Sequence, residues 1–444
     1  MHPFQTAIAD ALGTAPTDQP KVRLTGAGTL PACFDVTGLA TASVSAAAQE
    51  LAAASGVEDV RVDRRLALKW FDMTLRPQGW QMPGAWDPIA GDYAARDGWI
   101  RLHTNAPRHR AAAMSVLGCP PDRDAVARAV QRWDRDALET AVIAAEGCAA
   151  AMRGLSDWAC HPQGMAVAAE PLIRWDETGH CDRQTGLSGL RVLDLTRVLA
   201  GPVATRFLAG FGADVLRIDP PGWSEPGVEP EVTLGKRCAG LDLHTDADRA
   251  IFRHLLSQAD VLVHGYRPGA LDALGFGSDT RLSLNPAVID VSLNAYGWTG
   301  PWRLRRGFDS LMQMSTGISA EGMARGQADR PVPLPVQALD HATGYLMAAA
   351  ILRALRVRAA TGRVLRARLS LARTAYLLTS GGAQDLSPPL APERPADLAP
   401  EREETGWGPA QRVRFPVTLA GHPPRWPHPA GLLRRHSAAW RAPA

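Results

Sequence analysis

The chain has 444 residues, a mass of 47.5 kDa and a formal net charge of +3. Hydrophobic residues make up 46% and charged residues 21%, which excludes a wholly disordered or fibrous protein. Basic and acidic residues nearly balance, so no charge pattern predicts nucleic-acid binding. The length is typical of two or three domains.

The cysteines and the N-terminus indicate where the chain works. Six cysteines are scattered without a Cys-x-x-Cys pair, which predicts neither a zinc site nor a thioredoxin-like motif and favours a reduced setting. The N-terminus lacks the basic start and long apolar stretch of a secretory signal. The longest apolar helical segment, 344–352, is too short to span a bilayer. We therefore expect a cytoplasmic protein with no metal, no membrane contact and no nucleic-acid partner.

The first part of the chain mixes several patterns. Residues 1–23 are polar and contain proline, which predicts disorder. An alanine-rich helix is predicted over 39–54, and an ordered aromatic loop over 79–97. A strand is predicted after the turn at Asp97-Gly98, with helices over 107–153.

From residue 187 the pattern changes to strands that alternate with helices. Four short buried strands are predicted, at 191–195, 213–219, 260–264 and 287–293. Such alternation is typical of a parallel, doubly wound sheet. Residues 384–411 are rich in Pro, Glu and Arg, so we expect a linker or loop there.

A weak internal repeat connects the two halves. Thr37-Gly38 opens an alanine-rich helix that leads to Arg65-Leu-Ala-Leu68. Thr343-Gly344 opens another, which leads to Arg368-Leu-Ser-Leu371. Two alanine-rich helices can look alike by chance, but the shared start and end favour a duplication.

The turn after strand 191–195 imitates a dinucleotide-binding unit. However, the Gly-x-Gly-x-x-Gly sequence that a pyrophosphate needs is missing, since only Gly201, followed by Pro202, lies in the turn. The residues alone favour an ordinary strand-to-helix turn, whose helix N-terminal amides could still bind an anion.

Seven motifs in the second half occur in the order of a known family. They are Gly189–Pro202, Gly212–Gly222, Gly235–Arg237 with Leu241–Leu243, Tyr266–Gly277, Asn285-Pro286, Tyr296–Trp302 and Gly307-Phe-Asp309. In this order they resemble the family III CoA-transferases, the CaiB/BaiF family, which includes formyl-CoA transferases and 2-methylacyl-CoA racemases. The resemblance is continuous over about 187–376.

The resemblance implies an α/β fold, with a Rossmann-like parallel sheet that binds CoA and a second, small α+β domain. The small domain precedes the CoA-binding half here, so we expect a rearranged order made of two partly decayed tandem copies. The predicted segments are a disordered N-terminus (1–23), a relic of a first head and linker (24–96), the small domain (97–172), the CoA-binding domain (187–376), a linker or loop (377–411) and a tail returning to the large domain (412–444).

Asp340 matches the family's nucleophilic aspartate. The resemblance implies that its carboxylate attacks an acyl-CoA thioester and then becomes an aspartyl-CoA thioester. The glycine of the following Thr-Gly step, Gly344, would let the bulky thioester approach the backbone. The residues alone leave another role open, because Asp before a helix is a preferred N-cap. We expect Asp35, near Thr37-Gly38, to be the relic counterpart of Asp340.

The resemblance also implies a CoA site in the second half. Six residues match positions of the family's site, namely Val198, Ala200, Leu241, Gly265, Tyr266 and Arg306, and Arg197 and Arg267 are additional candidates. Two departures weaken the CoA clamp: Ala273 replaces a phosphate-binding arginine, and Gly265 replaces a polar side chain. Ser380-Gly-Gly-Ala383 is the one candidate for the family's glycine-rich loop over the aspartate.

We interpret the chain as a CoA-transferase that moves CoA from an acyl-CoA to a carboxylic acid, without metal or tightly bound cofactor. The alternative is a non-catalytic relic that binds CoA or a partner. A racemase is a weaker alternative, because Phe308 replaces the histidine base of that reaction. We also expect a homodimer, because the apolar helices at 39–54 and 344–356 need covering.

Overall fold

The computed structural model describes residues 2–15, 19–182, 186–381 and 388–441. The helices are α1 (Pro3–Leu12), α2 (Val36–Ala54), α3 (Arg64–Lys69), α4 (Pro107–Leu117), α5 (Arg123–Val130), α6 (Arg135–Ala144), α7 (Leu155–Cys160), α8 (Pro162–Ala169), α9 (Ala200–Gly210), α10 (Glu229–Val232), α11 (Asp246–Gln258), α12 (Ala270–Ala273), α13 (Ser278–Leu284), α14 (Asp309–Ser315), α15 (Ile318–Arg325), α16 (Ala338–Thr361) and α17 (Leu371–Thr379). Within these described ranges, no helix is long and apolar enough to cross a membrane.

In the part of the chain that the structure describes, the strands form one large sheet and three small ones. The strands are β1 (Lys21–Thr25), β2 (Asp59–Asp63), β3 (Leu75–Pro77), β4 (Gly91–Ala95), β5 (Gly98–Leu102), β6 (Ala149–Ala151), β7 (Arg174–His180), β8 (Arg191–Leu195), β9 (Asp214–Asp219), β10 (Arg237–Gly240), β11 (Val261–His264), β12 (Ile289–Asn294), β13 (Arg363–Ser370), β14 (Leu398–Thr405), β15 (Gly408–Val413) and β16 (Val417–Leu419). The small sheets have the orders β1-β2-β16, β14-β15-β3 and β4-β5-β6.

The large sheet has the order β10-β9-β8-β11-β12-β13-β7. Its neighbouring strands pair in parallel, except that β7 runs antiparallel to β13. The four strands predicted from the alternating pattern became β8, β9, β11 and β12, and they share this sheet. The predicted α/β class with a parallel sheet is therefore confirmed.

Helices cover both faces of the large sheet, which explains why its strands are short apolar runs. Val192 and Val263 belong to the apolar cluster that contains α9 and α16. Leu193 and Leu262, one position away in each strand, belong to the cluster that contains α11. Because successive side chains of a strand point to opposite faces, each strand needs apolar residues on both.

A smaller copy of this geometry lies in the first part of the chain. Strand β2 pairs with β1 in parallel and with β16 in antiparallel, just as β13 pairs with β12 and β7. Helices α2 and α16 precede these strands, and α3 and α17 follow them. Asp63 caps α3 and Ser370 caps α17. The repeated pattern is therefore present in the fold. However, when the two caps are matched, Arg61 corresponds to Arg368, whereas the sequence comparison had matched Arg65 to it.

The two long helices of the repeat cover each other. Helix α2 packs along α16, which also packs on α9. Leu39, Val44, Leu346 and Ile351 are fully buried within the single chain. The reason given for a homodimer is therefore wrong, because the chain itself covers these apolar helices.

The segment that resembles the small domain has a core of its own. Sheet β4-β5-β6 and helices α4, α5 and α6 surround an apolar cluster that includes Ile100, Leu102, Val126 and Val142. Strands β5 and β6 also pack against α14, close to where the long helix α16 begins. This contact brings α4 toward the edge of the large sheet.

Two segments expected to lack regular structure contain helix or strand. Within 1–23, Phe4, Ile8 and Leu12 recur at helical spacing and are buried along one face of α1, which packs on α2. Within 377–411, strand β14 and the start of β15 form a hairpin that pairs with β3. Both predictions are wrong. For α1, the overall polar composition hides the helical spacing of three apolar residues. For the hairpin, an exposed edge strand can be polar, so its composition resembles that of a loop.

The C-terminal segment 412–441 contacts the layers around the large sheet. The Arg425 amide donates to the Gly210 carbonyl of α9 at 2.7 Å. The indole of Trp440 donates to the Leu255 carbonyl of α11 at 3.0 Å. The tail therefore contacts a helix on each face of the sheet.

Candidate active site

A cavity of about 300 Å³ opens at the carboxyl ends of three neighbouring parallel strands. Leu195 ends β8, Asn294 ends β12, and Gly265 directly follows β11; all three line the cavity. The carboxyl ends of parallel strands meet at one edge of a sheet, where open α/β proteins usually bind ligands. This cavity is the candidate active site.

The turn between β8 and α9 is held in an uncommon backbone conformation. Val198 has a φ of 65°, which a β-branched residue rarely adopts. Its amide donates to Glu225 Oε2 at 2.8 Å, and Glu225 pairs with the fully buried Arg217. At Gly201 an added Cβ would overlap the side chain of Thr196, so this turn requires glycine. A buried ion pair thus fixes Val198 at the cavity wall.

Asp340 reaches the cavity from the first turn of α16. It is not the N-cap, which falls at Gln337. Instead, Asp309 Oδ2 accepts the Asp340 amide at 2.9 Å, while Gln313 donates to Asp309 Oδ1 at 2.6 Å. The capping interpretation of Asp340 is therefore wrong, because Asp309 satisfies this helix end.

Both acids of this pair are buried, and both have a raised pKa. Burial is the main cause for Asp340, and the nearby Asp309 charge adds to it, so the pKa of Asp340 lies well above its ordinary value. Burial raises the pKa of Asp309 to about 6, against the opposing hydrogen bonds from Gln313 and the backbone. An Asp340 carboxylate is poorly solvated here, which makes it a better nucleophile once it is ionised.

Arginines form another part of the cavity wall. Arg197 donates to the Tyr266 hydroxyl at 2.8 Å and lies over that ring at 5.1 Å. Burial lowers the pKa of Arg108 and of Arg267, and in both cases the charge of Arg306 lowers it further. Crowded positive charges of this kind favour an anionic ligand such as a phosphate. Across the described residues, no group of three or more His, Cys, Asp or Glu side chains could hold a metal ion.

The structure brings together all but one of the site residues predicted from the sequence. Those that line the cavity are Arg197, Val198, Ala200, Gly265, Tyr266, Arg267, Arg306 and Asp340. Leu241 lies outside it, because β10 is separated from β8 by β9. The Leu241 side chain is buried in the apolar cluster around Phe252 and Leu255, so it stabilises the sheet edge.

Two cavity residues that the sequence interpretation missed come from the segment 97–172. Arg108 and His109 lie in the first turn of α4, and Arg108 Nε lies 3.3 Å from His109 Nε2. The run of basic residues after Pro107 was the available signal for an anion site. The long-range packing of β5 and β6 on α14 brings this run to the cavity.

Phe308 also lines the cavity, between two histidines. The His103 ring stacks on Phe308 with centroids 3.7 Å apart, and His109 meets it edge-on at 5.9 Å. Burial lowers the pKa of His103 to about 3 and that of His109 to about 4. Both imidazoles are therefore neutral at pH 7 and weak bases.

The glycines near Asp340 serve packing. An added Cβ on Gly344 would overlap the Ala200 carbonyl oxygen and Val203, so this glycine lets α16 approach α9. The expected role of Gly344 in admitting a thioester has no support in this contact. In the candidate glycine-rich loop, Gly381 packs against the Phe4 ring, and positions 382–383 lie outside the described residues.

Known proteins match part of this chain. A family model described as CoA-transferase family III matches residues 187–401. An acetyl-coenzyme A transferase from Hypoxylon pulicicidum is 38% identical over 191 residues, which are 42% of this chain and 32% of the relative. A probable fatty acyl-CoA transferase from Mycobacterium tuberculosis is 35% identical over 190 residues, which are 40% of this chain and 48% of the relative.

Solved structures of similar proteins cover comparable shares. An orthorhombic crystal structure of the Mycobacterium tuberculosis relative has a TM-score of 0.39 and 28% identity, covering 46% of this chain and 59% of the other. A CaiB/BaiF family protein from Brucella suis has a TM-score of 0.38 and 27% identity, covering 51% and 65%. The chain spans about a third to a half of the length of the curated relatives it matches. The resemblance inferred from the seven motifs is confirmed: residues 187–401 carry a family III CoA-transferase segment.

Proposed function

We propose that this protein moves CoA from an acyl-CoA thioester to a carboxylic acid, with Asp340 as the nucleophile. One observation carries the proposal: the Asp340 carboxyl shares a cavity with Arg108, Arg197, Arg267 and Arg306. The match of residues 187–401 to CoA-transferases supports the general class. CoA enters as a substrate, and the reaction needs no other cofactor.

The arginines bind the phosphates of CoA in this proposal. Guanidinium groups pair with phosphate oxygens in a planar, two-pronged geometry and keep their charge at every physiological pH. The amides at the start of α9, beside Val198, add partial positive charge at the same wall. Arg108 and Arg306 thereby replace the phosphate contact that Ala273 lacks.

The first half of the reaction transfers CoA to the protein. An Asp340 carboxylate oxygen attacks the thioester carbonyl, and the carbon–sulfur bond breaks to release CoA thiolate and leave a mixed anhydride. The thiolate then attacks the Asp340 carbonyl carbon. The donor leaves as a carboxylate, and Asp340 holds CoA as an aspartyl thioester.

The second half reverses these steps with the acceptor. The acceptor carboxylate attacks the aspartyl carbonyl, which forms a new anhydride and releases the thiolate. The thiolate attacks the acceptor carbonyl, so the new acyl-CoA leaves and the Asp340 carboxylate is restored. Oxygen atoms exchange between the acids and Asp340, and no oxidant, reductant or net proton is consumed.

Asp309 acts through Asp340 and not on the substrate. By accepting the Asp340 amide, it fixes the start of α16 and leaves the Asp340 carboxyl at the cavity. Its charge also raises the pKa of Asp340. Transfer should therefore require a pH at which Asp340 has ionised.

The decisive experiment traps the aspartyl thioester. The protein is incubated with acetyl-CoA, treated with hydroxylamine and digested, and mass spectrometry locates the modified residue. A hydroxamate on the Asp340 peptide, absent in Asp340→Asn, supports transferase chemistry. Binding of CoA without any adduct or transfer would favour the non-catalytic relic.

Racemisation is not proposed. Phe308 cannot take a proton, and the low pKa of His103 and His109 makes both imidazoles weak bases. Exchange of the α-proton of a 2-methylacyl-CoA with deuterated water would contradict this conclusion.

We further propose that segments 24–96 and 97–172 descend from a first copy of the family sequence, and that the CoA-binding half is the second copy. The repeated pairing around β2 and β13 supports this origin. The cytoplasmic location and the homodimer stay predictions. Light scattering at micromolar concentration tests the dimer, and a monomer of 47.5 kDa would contradict it.

A further inference from the structure

A second cavity, of about 220 Å³, adjoins the candidate active site. Val198, Trp223 and Phe308 line both cavities and form the partition between them. The other walls come from parts of the chain that are distant in sequence, mainly 84–87, 103–106 and 224–228. The second cavity is therefore formed where residues of the 84–106 region pack against residues of the 198–308 region.

Aromatic rings cover much of its wall. The Trp86 ring meets His103 edge-on at 5.9 Å, and His103 stacks on Phe308. Trp223 closes the wall at the partition. Such a surface favours an apolar or aromatic group, because rings interact well with one another in stacked and edge-on arrangements.

The charges around the second cavity disfavour an anion. Neither lysine nor arginine is among its described lining residues, whereas Asp87 and Glu225 are. The cations beside these two acids are already paired with them, since Arg110 lies 3.1 Å from Asp87 and Arg217 pairs with Glu225. Arg101, which lies over the Trp86 ring, likewise pairs with an acid. A free carboxylate placed here would be desolvated without a cationic partner, which is costly.

We propose that the second cavity holds the acyl group during transfer and selects apolar or aromatic monocarboxylic acids over dicarboxylic acids. This inference rests on the proposed function, because it places the CoA moiety in the first cavity and the thioester at the Phe308 partition. The two cavities together reach the size of typical small-molecule sites, about 300–1,000 Å³.

The first test compares ligands by titration calorimetry on the full chain. Free CoA, phenylacetyl-CoA and succinyl-CoA share the nucleotide part and differ in the acyl end. We expect phenylacetyl-CoA to bind at least about tenfold more tightly than succinyl-CoA. Equal affinities, or a preference for succinyl-CoA, would overturn the inference while free CoA binding keeps the proposed function intact.

Two variants then assign the preference to this cavity. Trp86 is 43% exposed, so Trp86→Ala should fold, and we expect it to weaken phenylacetyl-CoA binding about tenfold while free CoA binding is unchanged. Ser224 is exposed at the cavity, so Ser224→Arg supplies the missing cation and should improve succinyl-CoA binding by about tenfold.

Matched controls separate charge from size and from general damage. Ser224→Gln adds length without charge and should leave succinyl-CoA binding weak. Leu432→Ala changes a side chain that is 52% exposed and lines neither cavity, so all three affinities should stay as in the wild type. If Trp86→Ala and Ser224→Arg leave the affinity ratio unchanged, the acyl group lies elsewhere. If free CoA itself does not bind, the proposed function fails and this inference falls with it.

Discussion

The starts of α2 and α16 use the same residue types for different purposes. Asp35 is the N-cap of α2, since its carboxylate accepts the Gly38 amide at 2.7 Å and pairs with His2 at 2.9 Å. Asp340 lies inside the first turn of α16, where Asp309 accepts its amide instead. A carboxylate bound to a helix end and an imidazole is a poor nucleophile, whereas Asp340 reaches a cavity.

The connections that precede α2 and α16 account for the different positions of Asp35 and Asp340. Between β1 and α2 the connection is short and contains no helix. Between β12 and α16 it contains α14, which carries Asp309 and Gln313 to the helix start. Because a second acid, Asp309, accepts the amide at this helix end, the Asp340 carboxyl is left to line the cavity.

The largest difference between the two helix starts is expected at Asp340 and Asp35 themselves. We expect Asp340→Asn to lower the transfer rate at least about 10³-fold, because an amide cannot form the anhydride. The transfer rate of Asp35→Asn should stay within about twofold of the wild-type rate, since Asn also caps helices well. Coupled assays of both variants with one acyl-CoA check this. Inactivation by Asp35→Asn would assign the chemistry to the first copy.

The stability of Asp340→Asn provides an independent check. The pKa of Asp340 is raised in the folded state, so the wild type loses stability as pH rises through that value. The amide does not ionise, so the variant should have a larger free energy of unfolding than the wild type at pH 8. The two proteins should converge near pH 4. Urea unfolding at both pH values measures the difference.

The arginines come next in expected effect, and Arg108 tests whether segment 97–172 contributes to the site formed by residues 187–376. Arg108→Gln and Arg267→Gln should each raise the KM for acyl-CoA about tenfold, because each removes a charged hydrogen bond to phosphate. The kcat should change little, since neither group touches the reacting carbonyl in this proposal. Arg128→Gln, on the exposed side of α5, is the matched control. An unchanged KM for Arg108→Gln would show that segment 97–172 does not contribute to acyl-CoA binding.

Asp309→Asn tests how the Asp309 charge affects the pH dependence of transfer. Removing the Asp309 charge lowers the pKa of Asp340, so the acidic limb of the pH–rate profile should move to lower pH. The Asn oxygen can still accept the Asp340 amide, and the maximal rate should fall only modestly. An acidic limb that stays in place would show that Asp340 does not sense this charge.

The same variant has a predicted effect on stability. Because the folded-state pKa of Asp309 is about 6, above its ordinary value of 3.8, the wild type is most stable relative to Asp309→Asn below about pH 4. That advantage is lost as pH rises through 6. Thermal unfolding between pH 4 and 7 should therefore depend less on pH in the variant.

The smallest expected effect concerns the cap of α2. Asp35→Ala removes the acceptor of the Gly38 amide and should lower the free energy of unfolding by about 1 kcal/mol. Its transfer rate should match that of Asp35→Asn. A loss of activity without a loss of stability would contradict a purely structural role for Asp35.

Features that depend on local pattern can be predicted from the amino-acid sequence. The strands β8, β9, β11 and β12 follow from short apolar runs between helices, because burial on both faces requires such runs. The resemblance to a family located Asp340 and Arg306, and Arg197 and Arg267 are additional candidates within the same ordered motifs. The sequence also predicts a repeat, because both alanine-rich helices have a Thr-Gly step in their first two turns.

The tertiary structure alone decided which of these residues act together. Asp309 caps α16 although it lies 31 residues before Asp340, and Arg108 reaches the cavity from another part of the chain. Leu241 falls outside the cavity because its strand lies at the far edge of the sheet. Helix α1 and the β14–β15 hairpin are stabilised by packing on α2 and pairing with β3. These outcomes depend on contacts between residues far apart along the chain, which local propensity and composition do not encode.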